Sequence, residues 1–207
     1  MSARHCLSFL ALALALAPHL VGHADTLDSV LQICATCHGP NGVSSQPKTP
    51  HLNGQLPASF IDAMQGYAKG SRPTAVAEHK TLAADQFDGA AKFYAAQKSL
   101  ARPKSATDPA MVLKGEKIYL NRCMDCHLDN GRDSDKEAPL IAAQEVEFLV
   151  AQTLAFKTGA RKFPFLMDDA YRGLSDEELA SAAHYFSAQE QMAPPAVGKK
   201  KRAKASP

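Results

Sequence analysis

Cys34-Ala-Thr-Cys37-His38 and Cys123-Met-Asp-Cys126-His127 each bring two thiols and an imidazole together within five residues. In a Cys-x-x-Cys-His segment the thiols can add covalently to the vinyl groups of a porphyrin, while the adjacent imidazole binds the iron; this is the attachment chemistry of c-type haem. Each copy is followed in register by Asn-Gly, at Asn41-Gly42 and Asn130-Gly131. Two other chemistries explain less. A zinc ribbon sets its cysteine pairs about 15–20 residues apart, whereas these lie 89 apart. A thioredoxin-like dithiol expects a βαβ setting and leaves the histidine unused. The motifs therefore predict two covalently bound haem c groups, attached at Cys34, Cys37, Cys123 and Cys126, with His38 and His127 on the irons.

The elements that position these motifs form an internal repeat. At an offset of 89 residues Pro50 falls on Pro139, Gln55 on Gln144, Tyr67 on Phe156, Gly70 on Gly159 and Arg72 on Arg161. Beyond that point the offset is 92, which aligns Leu82 with Leu174 and Phe93-Tyr94 with Tyr185-Phe186, so the first copy is three residues shorter there. Both copies read as helical, with no alternating strand pattern of useful length. A lead-in helix covers about 26–33; its counterpart is capped by Asp108, has Pro109 at its first position and turns Met111, Ile118 and Tyr119 to one face. Middle helices are expected over about 57–69 and 144–158, stopped by Gly70 and Gly159. Last helices are expected over about 84–97 and 175–189, where Ser175 and Glu178 form a capping-box pattern. The fold class is all-α, two tandem domains of one kind. The expected division is a signal peptide at 1–24, a first haem domain at 25–98, a linker at 99–107, a second haem domain at 108–193 and a basic disordered tail at 194–207.

Composition agrees with export. Arg4 and His5 precede an apolar run from Leu7 to Ala17 and the small-residue site Gly22-His23-Ala24, the layout of a secretory signal cleaved after Ala24 and too short to span a membrane. Cys6 leaves with it, so every remaining cysteine belongs to a haem motif. Aromatic residues make up only 7% of the chain and Trp is absent, so a buried cofactor in each domain would supply much of the missing apolar core. The net charge of +2 hides segregation: residues 25–104 carry 8 basic and 6 acidic side chains, residues 105–198 carry 9 and 15, and the last nine carry 5 basic and none acidic. An acidic second domain suits a basic redox partner. The tail Lys199-Lys200-Lys201-Arg202-Ala-Lys204 suits a peripheral contact with an anionic membrane surface, or is simply solvated. Nothing points to nucleic acid.

The order of haem motif, Pro-x-Leu-x-Gly-Gln loop, middle helix, ligand loop and final amphipathic helix resembles class I cytochromes c. Pro50-His-Leu-Asn-Gly-Gln55 matches that loop in full, while Pro139-Leu-Ile-Ala-Ala-Gln144 keeps only its Pro and Gln. The duplicated, exported form is similar to the diheme cytochromes c4 over about residues 26–190. The resemblance implies a periplasmic electron carrier serving redox proteins such as a terminal oxidase or other periplasmic or membrane-bound donors and acceptors. In that family the distal iron ligand is a Met seven residues before the Leu that opens the last helix. In the second half this is Met167. The first half has no Met there: between Arg72 and Leu82 the loop offers His79 as the leading ligand and Lys80 beside it. Met64 on the middle helix and an open, five-coordinate iron are the remaining choices. His51 and His184 read as structural.

A His/Met iron and a His/His iron in one chain would differ in potential, because the axial ligand is a principal lever on haem potential. The resulting expectation is an electron-transfer shuttle, not an enzyme, with a low-potential first site and a high-potential second site. The alternative is a small diheme enzyme or sensor in which an open or labile first iron handles peroxide, a nitrogen oxide or a sulfur oxyanion.

Overall fold

The computed structural model describes residues 26–134, 138–164 and 167–191. The expected leader, its cleavage point and the basic tail lie outside the described residues, so those readings remain sequence-based. The described residues contain helices, turns and extended loops but no strand.

The first half is built from α1 (Leu27–His38), α2 (Pro57–Ala68), the one-turn α3 (Glu78–Thr81) and α4 (Ala84–Ala96). Thr26 caps α1, its Oγ1 accepting from the Ser29 N–H at 3.3 Å. The helix runs past Ile33, where the sequence suggested it would end, and carries the whole first haem motif. Pro57 opens α2, and Gly70, at φ +72°, takes the left-handed step after its end. Val30, Phe60, Met64, Phe87, Ala90, Ala91 and Tyr94 form the buried cluster, against which Cys34 packs.

The second half repeats this plan with α5 (Pro109–Ile118), a π-helical turn (Tyr119–Cys123), the short turn α6 (Leu128–Gly131), α7 (Val146–Lys157), α8 (Met167–Tyr171) and α9 (Asp176–Ala188). Asp108 caps α5 as expected, accepting from Ala110 N at 2.7 Å and Met111 N at 3.2 Å. Ser175 and Glu178 form the expected capping box on α9. Helices α5 and α9 cross closely because Gly115 has no side chain; a Cβ there would lie 2.0 Å from the Ser181 carbonyl oxygen. Cys123 packs on a cluster of Tyr119, Leu149, Ala183, Tyr185 and Phe186.

The Asn-Gly pairs mark the same turn in both halves. Gly42 and Gly131 sit at φ +78° and +83°, and a Cβ would meet the Tyr94 ring at 2.7 Å or the Phe186 ring at 2.9 Å. Only glycine permits that approach. The carbonyl of Gly42 accepts from Leu52 and Asn53, and that of Gly131 from the repeat-related Ile141 and Ala142.

The halves meet through the repeat-related loops at 50–55 and 139–144 in a reciprocal arrangement. The Gln55 amide donates to the Leu140 carbonyl at 3.0 Å and accepts from the Leu140 N–H at 2.8 Å. Its repeat mate Gln144 does the same to His51, at 2.7 and 2.9 Å. Residues 51 and 140 are themselves 89 apart, so each half clamps the other by one pseudo-twofold operation. Near that axis lies Arg102, only 6% exposed although it sits in the inter-domain segment. Its guanidinium donates to the Asn53 carbonyl at 2.7 Å and to the repeat-related Ala142 carbonyl at 2.8 Å, and its Nε donates to Asn53 Oδ1 at 3.1 Å. The connecting segment, read from sequence as a bare linker, is therefore part of the interface.

Candidate haem sites

Each motif histidine is held by the same device. His38 Nδ1 donates to the Pro50 carbonyl at 2.9 Å, and His127 Nδ1 to the Pro139 carbonyl at 3.2 Å, both across twelve residues. Using Nδ1 in this way fixes the tautomer and keeps Nε2 for a metal. Burial pushes the His38 imidazole below its ordinary range, the neutral form a metal requires. Cys34 and Cys123 are half-buried against the two apolar clusters, and Cys37 and Cys126 are exposed. Burial raises both inner thiols, Cys123 to about 11, so they stay protonated. Among the described residues no cysteine is in a disulfide. Two thiols three residues apart, one turned to an apolar core and one outward, beside an imidazole with a committed Nδ1, form the donor set that a covalently attached haem takes.

The first half brings a second imidazole near the first. The rings of His38 and His79 have centroids 6.2 Å apart, tilted by 37°. Two imidazoles bound through nitrogen at about 2 Å on opposite sides of one metal ion hold their centroids roughly 6 Å apart. His79 is positioned from two directions: its ring stacks on Tyr67 at 4.7 Å, and its Nδ1 lies 3.1 Å from Thr74 Oγ1. Burial, then the Arg72 charge, lowers its pKa, so it too is neutral. Of the competing candidates, Lys80 is exposed and Met64, on α2, lies within the buried cluster.

In the second half Met167 begins α8, its N–H donating to the Pro164 carbonyl at 3.2 Å. Helix α8 packs against the π-helical turn that carries Cys123, which places Met167 on an element adjoining the second motif. Phe156, Phe163 and Tyr171 form an aromatic cluster behind it, with centroids 4.9–6.0 Å apart. His184, read as structural, accepts the Asp108 N–H at 3.0 Å and so ties α9 to the start of α5.

Several working residues escaped the sequence reading. Gln55 and Gln144 were visible as a matched pair in the repeat, but their role is across the interface and needs both halves at once. Arg102 had no repeat mate and sat in an apparent linker. Thr74 carried no signal, since a threonine in a polar loop is ordinary.

No protein-family model matches the chain. It is similar to the cytochrome c4 of Thiocapsa roseopersicina, 30% identical over 176 residues, covering 77% of this chain and 88% of that protein. It is also similar to the cytochrome c4 of Azotobacter vinelandii, 27% identical over 191 residues, covering 81% and 90%. The solved structure of reduced cytochrome c4 from Pseudomonas stutzeri has the same fold: TM-score 0.66, 24% identity, covering 80% of this chain and all of that one.

Proposed function

Since this chain belongs to the cytochrome c4 family and carries two covalently bound haem c groups, we propose that it is a periplasmic shuttle between respiratory redox partners, with a His38/His79 first site and a His127/Met167 second site. At the coarser level it is a diheme c-type electron carrier with two class I cytochrome domains. Each bound haem supplies a one-electron ferric–ferrous couple; the chain sets how readily that couple turns over. His79 is a neutral imidazole fixed by Tyr67 and Thr74, and Met167 is a soft thioether. His38 with His79 would favour the ferric state more than His127 with Met167, so the chain would set the first site at the lower potential and the second at the higher.

The observation that carries this reading is the 6.2 Å separation of the His38 and His79 rings. It favours a closed first iron over the open iron that a diheme enzyme or sensor would need. A redox titration of the haem-loaded protein, followed optically, tests it. Two well-separated waves and no rapid carbon monoxide binding by the reduced protein are expected. Overlapping waves at high potential, or fast carbon monoxide uptake at one haem, would overturn the assignment.

Partner choice follows from surface charge. Leu120, Met124 and Leu128 are exposed around the second motif, with Asp125 and Asp129 beside them. Arg132 pairs with Asp129 at 2.8 Å and Arg122 is exposed alongside, so this rim is of mixed sign. The acidic surplus of the second half as a whole is what would suit a basic partner, a terminal oxidase subunit among them, with association slowing as salt rises. No helix among the described residues is long and apolar enough to cross a membrane.

A further inference from the structure

Helix α7 is apolar on more than its core side, unlike its repeat mate α2. Toward the second motif it buries Leu149, in the cluster against which Cys123 packs. Its outer side carries Val146, Val150, Ala151 and Leu154, where α2 has Pro57, Ile61, Asp62 and Gln65 at the offset of 89. At about 100° per residue, the Val146-Val150-Leu154 row lies roughly 100° round the helix from Leu149. Val146, Val150 and Leu154 are only half-buried and Ala151 is exposed. A helix apolar all round is ordinarily covered on every side. These four side chains line a surface groove of about 450 Å³, edged by His184 of α9 and by Lys48 of the first half. No residue of either haem motif lines it.

Helices α7 and α9 run antiparallel: the Ser187 hydroxyl donates to the Gln144 carbonyl at one end, and Lys157 to Asp176 at 2.6 Å at the other. The groove therefore leads from the end of α9 back toward its start. There α8 and the first turn of α9 carry Asp168, Asp169, Asp176, Glu177 and Glu178 against Arg172, with Lys114 and Lys157 pairing from neighbouring helices, so the acids stay in surplus. The chain leaves α9 near the other end. Gln191 donates to the Asn53 carbonyl at 3.0 Å, and His51 nearby is clamped to Gln144 just before α7.

The segment that follows, outside the described residues, has the same order as the groove. Met192-Ala-Pro-Pro-Ala-Val197 is uncharged and apolar, and Lys199-Lys200-Lys201-Arg202-Ala-Lys204 comes after it. Six residues in the extended form that consecutive prolines favour span roughly 19 Å, against about 18 Å for the twelve residues of α7. Pro-rich segments dock in apolar grooves because little entropy is left to lose. We propose that this groove is the docking site of the chain's own C-terminal segment, with 192–197 along Val146, Val150 and Leu154 and the basic run on the acidic end at α8 and α9. Docked there, the segment cancels part of the acidic surplus of the second half, and a basic partner has to displace it.

Photo-crosslinking of the full haem-loaded chain, with p-benzoylphenylalanine in place of Val197, tests the site by peptide mass spectrometry. Crosslinks within one chain to residues 150–158 are expected. Leu154→Gln copies Gln65 of the first half and leaves Leu149 and Phe156 in place, and it should cut their yield roughly fivefold. Trypsin gives a second reading: cleavage within 199–204, relative to a free peptide of residues 192–207, should be several-fold slower at low salt than at about 1 M, where charges are screened. Crosslinks between chains would seat a second copy in the groove and overturn the proposal. So would crosslinks elsewhere in the chain, no crosslinks, an unchanged yield in Leu154→Gln, or relative cleavage indifferent to salt. Neither readout involves the iron ligands, so the result stands apart from the function proposed above.

Discussion

On the proximal side the two halves are near copies, and on the distal side they are not. His38 and His127 hang from Pro50 and Pro139 by the same bond, and Gly42 and Gly131 shape the same turn beneath Tyr94 and Phe186. In the loop proposed to supply the distal ligand the first half has His79, held between Tyr67 and Thr74, on a segment three residues shorter than the one leading to Met167. The motifs differ in their carriage as well: α1 carries the first in regular helix, while Cys123 closes a π-helical turn. If His79 and Met167 are the distal ligands, duplication has kept the geometry that attaches haem and freed the geometry that tunes it.

Exchanging the distal side chains should break that comparison with the largest effect. His79→Met would raise the lower potential, and Met167→His would lower the upper one, each by a few tenths of a volt, within the roughly 0.8 V over which axial ligands act. Either variant alone should draw the two waves together, as read by spectroelectrochemistry. Waves that stay apart in both variants would mean that these residues are not the ligands.

The interface tests whether the halves act as one body. Arg102→Ala strips three acceptors of a buried charge, Asn53 Oδ1 and the carbonyls of Asn53 and Ala142. A loss of about 1–3 kcal/mol is expected in denaturant unfolding, with one transition splitting into two as the halves uncouple. Arg102→Lys keeps the charge but not the fork and should recover only part of it. A single unshifted transition in Arg102→Ala would show that the halves are held together elsewhere.

The glutamine clamps sharpen the comparison further. They are equivalent by repeat but not by burial: Gln144 and its partner His51 are buried, whereas Gln55 and Leu140 are half-exposed. Leaving buried groups unpaired costs more than leaving wet ones. Gln144→Ala should therefore cost about 2 kcal/mol and Gln55→Ala about 1 kcal/mol, measured by thermal or urea unfolding. Equal losses would show that the pseudo-twofold symmetry extends to energetics.

What could be read from the chain alone divides along the same line. Local features were legible: the haem motifs, the Asp108 and Ser175 caps, and the Gly70 and Gly159 stops depend on neighbours within a few residues. The repeat offset pointed to His79 by removing methionine from its loop. Its support by Tyr67 and Thr74 depends on how the loop folds back, which spacing does not encode. The interface was the least legible. Arg102 looked like a linker charge because two of its three acceptors are main-chain carbonyls, one from each half, and main chain leaves no mark in composition. His51 reads as structural, and its contacts with Ser44 and Gln144 agree, but its place in the interface needed both halves.

His51 is where the halves differ most quietly, since its repeat mate is Leu140. Its side chain is fully buried; Nδ1 accepts the Ser44 N–H at 3.0 Å, and Nε2 lies 3.4 Å from Glu145 Oε1 in the other half. Burial, then the charges of Arg102 and His38, pushes its pKa down to about 4. An unfolded chain takes up that proton nearer pH 6.5. Between those values the unfolded state binds more protons than the folded one, so stability rises with pH there and is lost on acidification. The loss assignable to His51 should be about 2–3 kcal/mol between pH 6.5 and 4. His51→Leu, which makes the loop match its mate, should flatten that part of the stability–pH curve. Glu145→Gln removes the one nearby anion that favours the charged ring, and so should steepen it. The contrast is read from urea unfolding at half-unit pH steps. If His51→Leu left the slope unchanged, the acid sensitivity would belong to another group, and this difference between the halves would be one of shape alone.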